Sequence, residues 1–246
     1  LLIENCHHGL SLLHEISSEI ERREQSSDRG VFRLFLGTVS HPEFPVALLH
    51  RSLTITVEPA AGVRQQLVEQ YAWLKEFTKV EPHLFRPEPR WRAAIFTLAL
   101  LHSVANIRRT FRPRGFCKHH TFSQSSWFAS AMFVRTGLFG SGDMSAADPP
   151  GKLEWVGVQH MVGEIFYGGS INDDWDQRLF NARCKQGLTP KLLEPGFEFA
   201  PGFVLPAADL SLEETQAHVA ALPTQTSFAL LGLTEDADDV ANGAEA

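Results

Sequence analysis

Apolar positions change their period along this chain. Leu1-Leu2-Ile3 is a short apolar run ending at Glu4-Asn5, the pattern of a buried strand with polar residues at its carboxyl end. Beyond Gly9 and Ser11, Leu12, Ile16 and Ile20 recur at helical spacing with Leu13 beside them. Glu19, Glu21, Arg22, Arg23 and Glu24 fall mostly on the other face. After the polar loop Gln25–Gly30, the run Val31–Leu36 is apolar except for Arg33 and predicts a second strand ending at Gly37-Thr38. Leu53-Thr54-Ile55-Thr56-Val57 alternates and predicts a third, closed by Glu58-Pro59. Val63, Leu67, Tyr71 and Leu74 then place a helix after Gly62. The order strand, helix, strand, strand, helix points to an α/β layer with a largely parallel sheet. An innermost kind of strand at the very start is the pattern of a piece of a larger sheet.

Pro82, Pro87 and Pro89 mark a boundary, beyond which the pattern is mainly helical. Trp91–Ile107 is apolar nearly all round, predicting a buried helix, and helices follow over about Phe122–Val134, Leu153–Tyr167, Asp173–Cys184 and Leu212–Leu222. Gly137–Gly151, rich in Gly, Ser, Ala and Pro, reads as an exposed insertion loop. Gly168-Gly169 must break the helix before them, and one of the two is expected at positive φ. Ser170 and Asp173 have capping-box spacing, with Asn172 as an alternative cap. Asp174 and Arg178 stand at i,i+4, and Trp175 with Leu179 is expected to supply the buried face. Together Gly168, Gly169, Asp173, Asp174, Trp175 and Arg178 read as a structural joint.

Composition narrows the function classes. The 246 residues are 43% hydrophobic and 21% charged, enough for a sizeable core. Three widely spaced cysteines (Cys6, Cys117, Cys184) form no disulfide framework and suit a reducing compartment. No run is long and apolar enough for a membrane span; Trp91–Ile107 is interrupted by Arg92, His102 and Asn106. Leu1 has no basic region before it, so a signal peptide is not expected. The net charge of −7 divides into +4 over residues 1–120 and −11 over the rest, which argues against nucleic acid as a main partner. The basic group Arg108, Arg109, Arg112, Arg114 and Lys118 reads as a solvated helix end and loop rather than a phosphate site.

Catalytic motifs are missing. Gly151-Lys152 has Ala146 where a phosphate loop needs its first glycine, and Leu153 follows instead of Ser or Thr. Where phosphate-loop ATPases end a core strand in acids that hold Mg²⁺ and activate water, this chain has Glu4-Asn5, and the Asn5 amide cannot act as a base. Cys6-His7-His8 and Cys117-x-His119-His120 offer metal-ligating residue types, but adjacent ligands rarely converge on a tetrahedral ion, so no metal site is expected. Asp173, Asp174 and Asp176 at a helix start more simply complement the helix dipole. Catalytic, cofactor-binding and metal sites are therefore all expected to be absent.

Several segments resemble the C-terminal part of dynein heavy chains, especially the axonemal type. Leu1–His8 is similar to the family's apolar strand ending in Gln-Asn-Cys-His-Leu, and Phe32–Leu36 to its next core strand. Phe44-Pro45 with Leu48-Leu49, and Ser52–Pro59 followed by Gly62-Val63-Arg64, resemble the connections beyond. The most specific stretch is Gly163–Leu179, close to the family's G-E-x-x-Y-G-G-x-x-T-D-D-W-D-R-R-L, and Leu222-Pro223 with Leu230–Leu233 is similar to the start of the C-terminal domain. Ala60-Ala61, Ser170, Thr234–Asp236 and the Gly137–Gly151 insertion depart from the family pattern. The resemblance implies a partial AAA+ large subdomain with a parallel sheet over residues 1–85, a helical lid over 86–190, and the start of the C-terminal domain over 191–246. It implies a non-catalytic segment of the sixth ring module, with Glu4 and Asn5 at a degenerate acid position. The parent would be an ATP-driven, minus-end-directed microtubule motor of cilia and flagella, with an outer-arm leaning from the Pro-Gly-Phe stretch at 195–203. ATP and Mg²⁺ would bind elsewhere in that parent. Expected partners are the rest of the ring, other dynein subunits and, through the motor, the microtubule; the expected location is the axonemal cytoskeleton. The rivals are a stand-alone interaction module and a Cys/His metal-binding protein.

Overall fold

A computed structural model describes residues 1–25, 33–56, 60, 62–79, 85, 88–139, 154–194, 197–200 and 202–234, and the chain divides into two compact units, Leu1–Pro59 and Ala60–Ala246. In the first, β1 (Leu2–Ile3) pairs in parallel with β2 (Phe35–Leu36), Leu2 opposite Phe35 and Ile3 opposite Leu36. The α1 helix (Leu10–Gln25) connects them, and α2 (Val46–Arg51) follows. This is the expected β-α-β element. A small core forms from Cys6, Leu13, Phe44 and Leu48, with Ile3, Ile16, Ile20 and Leu36 packed against it. The buried face of α1 is turned from the expected one: Leu13 is fully buried, whereas Leu12 is 47% exposed.

The third strand is a correction. Leu53–Thr56 forms no ladder, Leu53 being 87% and Ile55 73% exposed, and Val57 lies outside the described residues. Alternation makes a segment fit for a sheet, but only a neighbouring strand makes it one. Among the described residues none is beside it. The first part of Val31–Leu36 also falls outside the described residues, so the observed ladder is two residues long.

The second unit is helical: α3 (Val63–Thr78), α4 (Pro89–Arg108), α5 (Gln124–Phe139), α6 (Trp155–His160), α7 (Asp174–Gly187), α8 (Leu212–Ala221) and α9 (Phe228–Leu231), with a small antiparallel pair, β3 (Glu198–Ala200) and β4 (Phe203–Val204). The all-round apolar α4 is its axis, packed against α3, α5, α7 and α9 and buried along almost its whole length. Pro89 opens α4, and the Glu88 carboxylate caps it by accepting the Trp91 N–H at 2.7 Å. Thr97 and Ser103 return their hydroxyls to carbonyls one turn back, so these two buried hydroxyls are paired within α4. Trp73 and Phe77 of α3 meet Trp127 and Phe128 of α5 edge-on or tilted, with ring centres 4.5–5.6 Å apart. The α5 helix runs on through Gly137 to Phe139, and residues 140–151, the rest of the expected insertion, lie outside the described residues. The α3 helix packs on α4 and α8 in the second unit. Phe203, Val219, Leu230 and Leu231 join the same core as α4.

Candidate functional site

The joint between α6 and α7 is built from a change of helical period. After α6 the chain winds one π turn, Met161–Phe166, then a 3-10 turn, Gly168–Ser170. A π turn leaves backbone groups out of the α ladder, and here Gln177 Nε2 of α7 donates to the Gly163 carbonyl at 2.8 Å and to Asn181 Oδ1 at 3.0 Å. Glycine at 163 lets α7 approach; a Cβ there would overlap Asn181 Oδ1. The Tyr167 ring then stacks on Phe180, centres 4.9 Å apart, and its hydroxyl meets His102 Nδ1 of α4 at 2.9 Å. Burial, then the Arg109 charge, pushes His102 down to about 4, so a neutral imidazole shares this hydrogen bond with the phenol near pH 7.

Neither Gly168 nor Gly169 has positive φ, which corrects the expectation; a 3-10 turn reverses the chain within the right-handed region, and a Cβ at Gly169 would meet nothing within 4 Å. Asp173 caps α7, its Oδ1 accepting the Trp175 and Asp176 N–H groups at 3.0 and 3.3 Å, while Oδ2 pairs with Lys118 Nζ at 3.3 Å. The Asp176 N–H holds the Asp173 carboxyl below its usual range, against some desolvation. The cap does not use Ser170 or Asn172.

The side chain that matters most follows two positions later. Asp176 is 2% exposed and accepts three donors: Cys117 N–H at 2.8 Å, Lys118 N–H at 3.0 Å and His120 Nε2 at 2.7 Å. Burial raises its carboxyl, but the Cys117 N–H, the His120 ring and the Lys118 N–H together outweigh it and leave it below the usual value. Trp175, expected in the core, is 70% exposed, and Arg178 lies over it, 5.1 Å from the ring centre, rather than on Asp174. The buried face of α7 is Asp176, Phe180, Cys184 and Gly187, one position on from the expected one. A carboxylate leads it because the 115–120 loop aims its backbone donors there.

Arg108, read from the sequence as part of a solvated basic group, is also buried. Its guanidinium donates to the Leu231 and Gly232 carbonyls and to those of Arg114 and Gly115. Burial pulls it down to about 10, still cationic at neutral pH. Arg183 adds a second donor to the Leu231 carbonyl at 3.1 Å. One arginine thus ties the end of α4 to the 114–115 loop and to the turn after α9. The sequence signal was its place one turn beyond Val104 and Ala105 on an apolar helix.

Chemically, these groups hold structure together. Both Asp176 oxygens are occupied, and Asp173 is spent on a cap and an ammonium. Ligand atoms of Cys117, Asp173 and Asp176 lie within 4.8 Å of one another. Lys118 and the positive end of α7 both oppose a cation there. Among the described residues, Cys117 therefore gathers with acids rather than with His119, and His120 is turned to Asp176. In the first unit, Glu4 and Asn5 are exposed at the end of β1, and Asn5 takes a left-handed φ of 54° where the strand turns into Cys6–His8.

Comparison with known proteins adds the family context. Residues 91–237 match the dynein heavy chain AAA lid domain, and residues 1–56 match the dynein heavy chain region D6 P-loop domain. The chain is 32% identical over 238 residues to human dynein axonemal heavy chain 8 and 30% identical over 239 residues to mouse dynein axonemal heavy chain 5. It is 29% identical over 245 residues to the Chlamydomonas reinhardtii dynein gamma chain of the flagellar outer arm. Each alignment covers 97% of this chain but only 5% of the relative's length.

Proposed function

From its membership of the dynein heavy chain family, to which this chain belongs, we propose that it serves as a non-catalytic ring segment of an axonemal microtubule motor. Its first unit supplies part of a P-loop-type subdomain and its second the helical lid. The observation that carries this reading is Asp176. Asp176, in the conspicuous D-D-W-D cluster of the sequence, is consumed in bonding α7 to the 115–120 loop, so its carboxylate is not free to act as a base. A lid locked in this way moves as one piece and transmits displacement. ATP and Mg²⁺ then belong to other modules of the heavy chain, as do microtubule contacts. The outer-arm relative supports a place in the axonemal cytoskeleton, with the rest of the ring and other dynein subunits as partners. Nucleic acid and membrane have no role in this reading.

Titration calorimetry of residues 1–246 with Mg-ATP tests it. No saturable heat is expected. Saturable binding at micromolar strength would overturn the non-catalytic assignment.

A further inference from the structure

Residues of the α6–α7 joint are compatible with two helical registers. Val158, Val162 and Phe166 repeat at i,i+4, the period of an unbroken α-helix with Phe166 turned to the core. The structure keeps Val158 and Val162 there but follows them with Tyr167, 1% exposed, while Phe166 is only half-buried against Phe133. The π turn makes the difference: the Tyr167 N–H bonds the Val162 carbonyl at 3.1 Å. In α winding that N–H would go to the Gly163 carbonyl, and this is the acceptor that Gln177 Nε2 occupies. Gln177 is held in turn by Asn181, whose Nδ2 donates to Glu164 Oε1 at 2.5 Å.

The slot that Tyr167 fills suits either ring except at one point. Phe180 and Phe122, with centres 4.9 and 5.9 Å from Tyr167, are aromatic neighbours for any ring, whereas His102 Nδ1 bonds a hydroxyl that Phe166 lacks. The phenol–imidazole bond and the hold of Gln177 thus select the π register. We propose that Met161–Phe166 is a register switch: π-wound with Tyr167 on His102, or α-wound with Phe166 in the slot and Tyr167 turned out to solvent. The exchange passes one residue to the Gly168–Ser170 turn, where a Cβ at Gly169 would meet nothing within 4 Å. It lengthens the reach from the slot to α7 by about 3.5 Å. The α7 helix itself stays held through Asp176, so the joint gives under load while both helices keep their packing.

Tyr71 and Tyr167 are the chain's two tyrosines, so fluorotyrosine places one probe at the switch and one that Tyr71→Phe identifies. In fluorine NMR of the full chain, Tyr167 should give a main resonance and a weak second one in exchange with it. A soluble gadolinium chelate should broaden only the second, whose ring is in solvent. Gln177→Leu, which returns the Gly163 carbonyl to the helix, should raise the weak population about fivefold, the factor worth one hydrogen bond. His102→Leu should raise it likewise; if that buried change costs the cooperative melt, Gln177→Leu, at the half-buried edge of the joint, decides. Adding Phe166→Ala to Gln177→Leu should remove the second resonance, because the competing ring is gone. A single Tyr167 resonance in a folded Gln177→Leu chain would overturn the switch. So would a second resonance that survives Phe166→Ala, which would make it local fraying rather than an exchange of rings.

Discussion

Asp176 and Trp175 are neighbours with opposite fates, and their substitutions should separate cleanly. Removing one partner of a buried, hydrogen-bonded charge leaves the donors stranded, so Asp176→Ala should lower stability by about 3–5 kcal/mol. Trp175→Ala removes an exposed ring whose main contact is the Arg178 guanidinium, and should cost only about 0.5–1 kcal/mol. Thermal melts of both variants check this. The pH dependence follows from the lowered Asp176 carboxyl. A group whose folded pKa lies below its unfolded one contributes fully above the unfolded value, and loses that contribution as pH falls through the folded one. The wild type should therefore lose stability below about pH 4, with a shallower loss in Asp176→Asn. Glycines divide in the same way. A Cβ at Gly115 would overlap the Arg108 carbonyl oxygen, a backbone atom that cannot swing aside, whereas one at Gly169 meets nothing. Gly115→Ala should destabilise by at least about 1–3 kcal/mol, and Gly169→Ala should stay within about 0.5 kcal/mol.

Among the elements, those whose signal is local were legible in the sequence. The α4 helix announces itself by being apolar on every face, and the start of α7 by a cap residue followed by acids. The face that α7 buries was not legible. A lone aspartate at its head looks solvent-facing until the Cys117 and Lys118 N–H groups are seen pointing at it, and those lie nearly 60 residues away. The π turn escaped for a similar reason: its dislodged carbonyl is satisfied by Gln177, on the next helix. Leu53–Val57 was misread because its alternation is strand-like while its ladder partner is not among the described residues. Capping, by contrast, can be ranked before measurement. Ser211 and Glu214 form a reciprocal capping box on α8, so Ser211→Ala should cost about 1 kcal/mol. Asp173→Ala, which loses both the α7 cap and Lys118, should cost more than Ser211→Ala in parallel melts.

For the whole molecule, the two units differ in how completely they bury themselves. The second has one continuous core, whereas the first leaves Leu1, Leu2, Phe35, Val39, Leu53 and Ile55 exposed around a two-stranded parallel sheet. Parallel sheets are ordinarily covered on both faces, and exposed apolar side chains such as the paired Leu2 and Phe35 are available to a partner. The isolated chain should therefore self-associate in sedimentation runs, and Leu2→Lys with Phe35→Lys should reduce it. A segment that depends on neighbours in this way fits a ring component that works mechanically, without chemistry of its own. In such a component no group takes part in ATP turnover, and Glu4, at the end of β1, is the carboxylate that the resemblance sets at the degenerate acid position. The direct measurement is the steady-state ATPase rate, alongside the melting temperature, of a heavy chain carrying this segment with Glu4→Gln. An unchanged rate at an unchanged melt is expected; a rate lost while the melt holds would make Glu4 a catalytic group.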